Sequence, residues 1–529
     1  MKKLLLYFNT VKYLRFSQIF WRIFYKVICR KPSLSSAPEH HNIKPETGFP
    51  KIENVFDGNI GFTFLNLRRE IAGKEAWNAP ELDPLWRYNL HYFDWLRQHD
   101  ITEDAANASI ERWINENPPL TGAGWNAYPI SLRVVNWIKY AAQGHHLSPS
   151  AIENMAVQLR ALMNSLEYHL LGNHLLANAK ALVFGGMFFR GKEAETWLKK
   201  GLSIYRKELP EQILADGGHF ELSPMYHSIM VEDLLDLKNI NAPMTLDELI
   251  GRMLRWLDGM CGGKGEIALF NDGAYKVALP PEVLFDYGRK LGIKWQSAPG
   301  NVFFPDSGYA RLARGPWQCI CDGAAIGPDY LPGHSHADTL NFELWLRGFK
   351  MICDTGTYLY KDSPVRRFQR GTTAHNTVCL DHKNSSHIWG AHRAAERAFI
   401  VERKFSDACF TAAHNGYRPA IHKRIWKLAE ELTVIDRIEF NDRQSHDVEI
   451  YFHFAPECQV TLQRDKLIID TPEGRAGLCA AGNAGELHSS LEEYEMSREY
   501  GLLERHKAVK FFGRFRDNVE IQTEIKIIE

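Results

Sequence analysis

The chain has 529 residues, of which 45% are hydrophobic and 24% are charged, and this composition excludes disordered, collagen-like and coiled-coil classes. Its 63 Lys and Arg residues against 64 Asp and Glu residues give a net charge of −1. The chain therefore lacks the overall positive field that attracts nucleic acid, and its length predicts about two or three domains.

The first 31 residues are basic and rich in aromatic side chains, and they predict an amphipathic helix. The longest apolar run, at 4–8, is too short for a signal-peptide core or a membrane span. The helix either lies on a membrane surface or packs on the rest of the protein, and packing is the favoured interpretation. Without a recognisable signal peptide, the sequence favours the bacterial cytoplasm or the membrane periphery over the periplasm.

Residues 32–50 contain five Pro or Gly residues and predict a surface linker, so that the first predicted segment is 1–50. From about residue 80 to residue 295, apolar residues recur at the spacing of amphipathic helices, as in 151–171 and 226–237. Short breaks with Gly, Pro or Asn join these segments, so we expect antiparallel helix pairs. The periodicity leaves open whether they form a bundle, a solenoid or a toroid.

After Pro299 and Gly300 the pattern changes to short, alternating or β-branched runs separated by turn residues, as in 342–346 and 448–454. This pattern predicts an antiparallel β region over 301–529. A helical half followed by a strand half places a cleft at the junction, where we expect a ligand to bind.

The nine cysteines are odd in number and show no paired spacing, which argues against a disulfide framework. Cys319 and Cys321 form a CxC pattern inside an apolar run. No second pair completes a zinc site, so we interpret them as buried strand residues.

Two polar segments interrupt the helical half. Asn173 and His174 open a helical run, where a helix cap is a structural alternative to a functional role for Asn173. The segment from Asp216 to His227 contains two His, a Glu, an Asp and a Tyr. A loop of that composition within a helical array favours a functional interpretation.

The densest polar cluster of the strand half is PGHSHAD at 332–338. Residues two apart on an extended backbone point to the same side, so His334 and His336 can serve one site. Asp354 and His375 follow in later polar segments, and a His/His/Asp set suits Zn²⁺. The structural alternative is solvated histidines in turns near strand ends.

Together these segments resemble the heparinase II/III family of polysaccharide lyases over about residues 80 to 460. The matching segments, in order, are GNH at 172–174, SPMYH at 223–227, GHSHAD at 333–338, CDTGTY around Asp354 and TAHNTV at 373–378. The resemblance implies an incomplete (α/α) toroid over 51–300, followed by an antiparallel β-sandwich over 301–529.

The resemblance also implies a mechanism, in which the C5 proton of a uronic acid is removed and the 4-linked sugar is expelled. Because negative charge develops beside a carboxylate, neutral or cationic donors must stabilise it. By resemblance, Asn173 takes that role with help from His174. Tyr226 is the acid, and for one C5 configuration also the base, whereas His334 removes the proton from the opposite face. A tyrosine that acts as base needs nearby positive charge to lower its pKa.

The family's metal-binding trio matches His336, Asp354 and His375, which implies a structural zinc ion that orders the loop carrying His334. No organic cofactor is implied.

We further predict that Trp125, Arg133, His91 and Glu221 bind substrate. Trp and Arg suit stacking on sugars and pairing with carboxylate or sulfate groups. Packing in the core explains Trp125, Arg133 and His91 at least as well. Glu221 is expected to act from behind the residues that touch the substrate.

The predicted partner is an anionic uronic-acid polysaccharide, either a glycosaminoglycan or a bacterial exopolysaccharide. A uronate C5-epimerase uses the same proton abstraction and is the nearest alternative. A glycoside hydrolase would need two carboxylates, for which Glu221 and Asp272 are the candidates. A non-catalytic glycan-binding protein is the third alternative, and the sequence leaves the oligomeric state open.

Overall fold

The chain folds into a helical half followed by a strand half, and the computed structural model describes residues 2–28, 31–464, 466–483 and 485–528. The helices are α1 (Lys2–Val11), α2 (Phe16–Val27), α3 (Pro84–Tyr92), α4 (Glu103–Glu116), α5 (Ala127–Ala142), α6 (Pro149–Asn164), α7 (Gly172–Phe188), α8 (Lys192–Gln212), α9 (Pro224–Asn239), α10 (Asp247–Gly259), α11 (Pro281–Lys290) and α12 (Pro364–Gln369). Four short 3₁₀ helices span Lys74–Asn78, Asp94–Arg97, Ala123–Trp125 and Thr372–Ala374.

The strands are β1 (Gly61–Phe64), β2 (Leu67–Glu70), β3 (Val302–Phe304), β4 (Tyr309–Arg314), β5 (Trp317–Asp322), β6 (Phe342–Leu346), β7 (Phe349–Ile352), β8 (Val378–Leu380), β9 (Ile388–Trp389), β10 (Arg393–Ala394), β11 (Ile400–Ser406), β12 (Cys409–His414), β13 (Ile421–Leu428), β14 (Leu432–Glu439), β15 (His446–His453), β16 (Gln459–Gln463), β17 (Lys466–Thr471), β18 (Gly474–Gly482), β19 (His488–Met496), β20 (Glu504–Phe515) and β21 (Val519–Ile527). Helix α11 ends before residue 300 and strand β3 begins after it, on either side of the predicted boundary.

Helix α7 lies in the core of the helical half, where it packs against α5, α6, α8 and α9. Its residues are buried on nearly all sides, as expected for a helix that is apolar all round. The predicted helix over 151–171 is shorter in the structure, because α6 ends at Asn164 and a turn leads into α7. This turn positions the start of α7, where Asn173 and His174 lie.

A buried ion network connects α5, α7 and α9. Lys180 of α7 donates to Asp233 at 2.6 Å and to Asp236 at 2.5 Å, both on α9. Lys139 of α5 also pairs with Asp236. Buried charges are tolerated only when they are paired in this way, so the network fixes these helices relative to one another.

In the described part of the strand half, three larger antiparallel sheets have the strand orders β3-β4-β5-β6-β7, β11-β12-β13-β14-β21-β18-β17-β16 and β19-β20-β15-β8, and β9 pairs with β10 in a separate small hairpin. Side chains from all three sheets share one core, including Phe342, Trp426, Ile521 and Phe511. Stacked sheets with a common apolar core form a β-sandwich. The antiparallel β region predicted for this half is confirmed.

A second apolar cluster joins the two halves. It contains Trp256 of α10 and Phe270 from the helical half, and Tyr309 and Trp345 from the strand half. Phe270 stacks on Tyr309 with ring centroids 5.5 Å apart. The halves therefore pack through large aromatic side chains.

The amino-terminal segment differs from the single predicted helix, because α1 and α2 are separated by a turn. Met1, Cys29 and Arg30 lie outside the described residues. Of the cysteines that the structure describes, none is in a disulfide, and Cys319 and Cys321 are buried on β5 as predicted. No helix in the described part of the chain has the length and apolar character needed to cross a membrane.

Candidate active site

Asn173 is presented by a tight turn at the start of α7. Leu171 and Gly172 both have positive φ angles, of 68° and 57°. A Cβ atom on Gly172 would lie 2.4 Å from Leu331 and 2.7 Å from Glu221, so only glycine fits this position. The Asn173 side chain makes no helix cap and turns toward Glu221. The helix-cap alternative for Asn173 is therefore excluded.

Glu221 is a buried carboxylate between Asn173 and His334. Its Oε1 accepts hydrogen bonds of 3.1 Å from both the backbone N–H and the side-chain amide of Asn173. Its Oε2 lies 3.4 Å from Nε2 of His334. Glu221 is only 2% exposed, so it can position Asn173 and His334 from behind but presents little surface to a substrate.

His174 follows Asn173 and keeps a third of its side chain exposed. Its Nδ1 lies 3.0 Å from Oε1 of Glu167, and its ring centroid lies 4.5 Å from that of Tyr128. Burial alone would lower the pKa of His174, but the Glu167 carboxylate outweighs burial and raises that pKa. The Glu167 carboxylate thus favours the protonated form of His174, which can face an anionic substrate.

Tyr226 lies in the first turn of α9. Ser223 caps this helix by accepting a hydrogen bond from the Tyr226 backbone N–H, and Pro224 follows the cap, a sequence typical of helix starts. The ring of Tyr226 lies 3.9 Å from that of His334, centroid to centroid. Its hydroxyl is 2.7 Å from the hydroxyl of Tyr360. The predicted acid and base therefore meet across the junction of the two halves.

The hydroxyl chain continues from Tyr360 to a short contact with Tyr500. Burial raises the pKa of Tyr226 well above its usual value, and the nearby Asp272 carboxylate acts in the same direction. Tyr226 is therefore a neutral phenol that can donate a proton.

Asp272 holds His334 from behind. Its Oδ2 lies 2.9 Å from Nδ1 of His334, and its Oδ1 lies 2.8 Å from Nε2 of His336. Arg366 pairs with both oxygens of the same carboxylate. Burial would raise the pKa of Asp272, but Arg366 and the two histidines hold it well below its usual value. Because an ionised carboxylate only accepts, Nδ1 of His334 carries the proton and Nε2 is left as the base.

These positions contradict the hydrolase alternative. Asp272 is 0% exposed and bound by Arg366, and Glu221 is 2% exposed. Neither carboxylate can flank a glycosidic bond.

His336 and His375 lie side by side, with ring centroids 5.4 Å apart and no exposed surface. Nδ1 of His336 and Nε2 of His375 are buried without a hydrogen-bond partner, which costs about 1–3 kcal/mol for each unpaired group. Asp354 lies 2.7 Å from the other nitrogen of His375. Burial lowers the pKa of His336 to about 4, so this imidazole is neutral, as a metal ligand must be.

Within the described ranges, no three His, Cys, Asp or Glu side chains are grouped closely enough to hold a metal ion. The two unpaired nitrogens nevertheless fit a metal with imidazole ligands, since a metal would satisfy both.

Three predicted substrate-binding residues lie in the core instead. His91 is 0% exposed, accepts from Trp113 at 2.9 Å and bonds to a backbone carbonyl. Arg133 is also 0% exposed and donates to two backbone carbonyls and to Gln158. Trp125 is 6% exposed, with its indole N–H on a backbone carbonyl. Fully paired, buried groups cannot contact a sugar, which contradicts their predicted role.

The supporting roles of Asp272, Tyr360 and Arg366 were not predicted from the sequence. Tyr360 follows the CDTGTY segment and Arg366 precedes TAHNTV, so both lie beside segments that were recognised. Their position close to these segments was the signal in the sequence that could have identified them. The contacts of Arg366 with Asp272 and of Tyr360 with Tyr226, however, depend on tertiary structure.

Two protein-family descriptions match the chain, one in each half. The family described as Heparinase II/III N-terminus matches residues 31–252, and Heparinase II/III-like, C-terminal matches residues 297–526. A heparin-sulfate lyase of Bacteroides stercoris is 28% identical over 249 residues, covering 41% of this chain and 37% of that protein. One of Bacteroides thetaiotaomicron is 24% identical over 332 residues, covering 52% of this chain and 47% of that protein. The chain thus matches less than half the length of either relative.

Among solved structures, a crystal structure of heparinase III matches with a TM-score of 0.68 at 19% identity. The match covers 88% of this chain and 79% of that one. It confirms the predicted fold, an incomplete (α/α) toroid followed by an antiparallel β-sandwich.

Proposed function

The chain belongs to the heparinase II/III family, and from this we propose that it is a polysaccharide lyase that cleaves an anionic uronic-acid polysaccharide by β-elimination. The observation that carries the proposal is the approach of Tyr226 and His334 across the junction of the halves, at 3.9 Å between ring centroids. One residue is a neutral phenol, and the other is a histidine whose Nε2 lies beside Glu221, at 3.4 Å. An eliminating enzyme needs this pairing of acid and base.

The reaction starts when Nε2 of His334 takes the C5 proton of the uronic acid. The electron pair of that C–H bond forms the C4–C5 double bond, and the bond from C4 to the bridging oxygen breaks. Tyr226 donates its phenolic proton to that oxygen as the sugar leaves. Asp272 stabilises the imidazolium that forms on His334, through the 2.9 Å contact with Nδ1.

The substrate carboxylate must be neutralised while C5 loses its proton. We assign this role to the His174 imidazole, whose pKa is raised by Glu167, and to the Asn173 amide, which lie side by side at the start of α7. Charge stabilisation by fixed donors in a site of low dielectric is typically the largest contribution to such a reaction.

The relatives named heparin-sulfate lyases support a glycosaminoglycan as the substrate. A bacterial exopolysaccharide with uronic acids offers the same reacting carbon and carboxylate, so both belong in the test. The lyase names of the relatives favour elimination over the C5-epimerase alternative.

We also propose that His336, Asp354 and His375 hold a structural zinc ion. When bound, zinc would cross-link these buried side chains and thereby stabilise the loop that carries His334. The two unpaired imidazole nitrogens support His336 and His375 as ligands.

The test is the ultraviolet absorbance of the 4,5-unsaturated uronate, measured over a panel of glycosaminoglycans and bacterial uronic-acid polymers. We expect absorbance to rise on at least one polymer and Tyr226→Phe to lower kcat by about 10²- to 10⁴-fold. Tyr140→Phe is the matched control, because the Tyr140 hydroxyl is buried without a partner. Deuterium entering the polymer from solvent, without new absorbance, would contradict the lyase and support the epimerase.

A further inference from the structure

Helices α1 and α2 carry a stripe of large apolar side chains that faces solvent. On α2 the stripe consists of Phe16, Ile19, Phe20, Ile23 and Val27, which are between 37% and 81% exposed. Their spacing of three and four residues places them on one face of the helix. On α1 the exposed apolar residues are Leu4, Leu5, Tyr7, Phe8 and Val11. We refer to these ten residues as the apolar stripe.

The opposite face of α2 is fixed to the protein. Gln18 is 4% exposed and donates to the Tyr330 carbonyl at 3.2 Å. Trp21 stacks on Tyr168 with ring centroids 5.1 Å apart. Tyr25 donates to the Leu166 carbonyl at 2.5 Å. The outward orientation of the apolar stripe is therefore set by specific contacts on the other side of the helix.

The turn between the helices and helix α1 are anchored as well. Arg15 pairs with Glu211 and stacks on the Tyr330 ring at 3.7 Å. The indole N–H of Trp389 donates to Thr10 at 3.0 Å. The two helices thus form a fixed surface of the protein.

This segment is also the most basic part of the chain. Residues 1–38 contain eight Lys or Arg residues and no Asp or Glu, whereas the whole chain has a net charge of −1. Lys3, Lys12, Arg22 and Lys26 are exposed around the apolar stripe. Apolar side chains that penetrate between lipids, surrounded by cations that meet the headgroups, complement an anionic bilayer surface.

The same surface lies next to residues of the candidate active site. Helix α2 contacts Leu166 and Tyr168. These residues flank Glu167 in the chain, and Glu167 is the hydrogen-bond partner of His174. The contact of α2 with Tyr330 lies at the start of the loop that carries His334. A bilayer on the apolar stripe would therefore lie beside the entrance to the active site.

We propose that α1 and α2 form a peripheral docking surface for an anionic lipid bilayer, which holds the catalytic cleft next to the membrane. The apolar stripe enters the boundary between headgroups and acyl chains, and the four exposed basic residues contact anionic headgroups. This surface gives the enzyme access to polysaccharide at the membrane. The proposal rests on the two helices and stands independently of the lyase reaction.

The test is sedimentation of the full chain with vesicles of phosphatidylcholine alone or with about one-third phosphatidylglycerol. We expect at least about tenfold stronger binding to the anionic vesicles, and weaker binding at high salt, because surface charge is screened. Phe16→Ser with Ile23→Ser should weaken binding by about tenfold or more, since both side chains leave the bilayer. The double variant Arg22→Glu with Lys26→Glu should weaken vesicle binding to a similar extent, because it reverses two charges that contact the anionic headgroups.

Two matched controls are available. Val401→Ser removes a 52% exposed apolar side chain from the strand half, and Lys294→Glu reverses an exposed charge beside α11. Both should bind vesicles as the unchanged protein does. All variants alter exposed positions, so thermal melting and turnover of a soluble oligosaccharide should stay unchanged.

Equal binding to neutral and anionic vesicles, or full binding by both stripe variants, would overturn the proposal. It would also be overturned if light scattering showed a dimer that the stripe variants dissociate, because a second copy would then cover the stripe. Displacement from vesicles by soluble anionic polysaccharide at unchanged ionic strength would show that the basic residues bind the polymer instead of lipid headgroups. That result would also overturn the proposal. Vesicle binding requires no turnover, so failure here leaves the lyase proposal untouched.

Discussion

Oδ2 of Asp272 lies 2.9 Å from Nδ1 of His334, across 62 residues of sequence. The same carboxylate is paired with Arg366 and is held ionised, with its pKa well below the usual value. This contact fixes a proton on Nδ1, so that Nε2, which lies 3.4 Å from Glu221, is the nitrogen that can act as base. The relationship is that of a carboxylate–histidine pair, in which the carboxylate orients the base without touching the substrate.

Replacing Asp272 by Asn should lower kcat by about 10²- to 10⁴-fold, because an amide can donate to His334 and stabilise the wrong tautomer. KM should stay nearly constant, since Asp272 is 0% exposed. Steady-state kinetics on a cleaved polymer would measure this split. Asp272→Glu should recover part of kcat, and Asp362→Asn, which alters an exposed pair with Arg367, should be neutral. A rise in KM with unchanged kcat would contradict a positioning role.

Tyr360→Phe should lower kcat by about tenfold, less than Tyr226→Phe, because it removes one hydrogen bond of 2.7 Å to the acid. The phenol of Tyr226 remains, but its hydroxyl is less well oriented.

A pH–rate profile tests the protonation state of Tyr226. Since burial raises the pKa of Tyr226 well above 10, its ionisation should cause no loss of activity up to pH 10. An alkaline loss that disappears in Tyr226→Phe would contradict this.

Gly172→Ala should destabilise the protein by about 1–3 kcal/mol and reduce activity, because the new Cβ would collide with Leu331 and Glu221. Gly191 offers a control with a positive φ of 85° and nothing within 4 Å of the added Cβ. Gly191→Ala should cost about 1 kcal/mol from backbone strain alone and leave kcat unchanged. Denaturant unfolding and turnover would separate these effects. Equal losses in both variants would show that the packing of Gly172 is irrelevant.

Buried histidines should make the folded state less stable as the pH falls. Burial lowers the pKa of His91 and of His227 to about 3, and that of His219 to about 4. In the unfolded chain, these histidines have pKa values near 6.5. Between the folded and unfolded pKa values, the unfolded state therefore binds more protons than the folded state. The stabilisation is fully present above about pH 6.5 and is lost as the pH falls toward 4.

Thermal melting between pH 7 and pH 5 would measure this loss, with Tm falling throughout the interval. His91→Gln should reduce the pH dependence, because the amide oxygen can still accept from Trp113 but does not titrate. A Tm that stays constant over this range would contradict neutral burial of these histidines.

Zinc should raise Tm if His336 and His375 bind it, because a ligand specific for the folded state stabilises by about 2–4 kcal/mol at 100 to 1,000 times its Kd. A chelator should reverse the shift. His375→Ala should abolish the response, whereas His446→Ala, which changes a histidine paired with Asp381 and Asp442 on the sandwich, should keep it. Metal analysis that finds no zinc, together with no Tm shift, would contradict the assignment.

The sequence by itself determined the helical and strand halves and the segments that carry Asn173, His174, Tyr226 and His334. It could do so because helical and strand periodicity are local, and because catalytic segments keep their order along the chain. The change of pattern near residue 300 is such a local signal. The two halves and the segments of the candidate site were therefore predictable, whereas the toroid arrangement of the helices was implied by the family resemblance alone.

Only the tertiary structure decided which polar residues face the cleft. His91, Trp125 and Arg133 lie in stretches that look like sugar-binding segments, yet their hydrogen bonds are satisfied inside the core. Conversely, Asp272 acquires its role from His334 and Arg366, which packing of the two halves brings within hydrogen-bond distance. A polar side chain has the same sequence signature whether it is buried and paired or exposed to substrate, because burial and pairing depend on contacts between segments far apart in the chain.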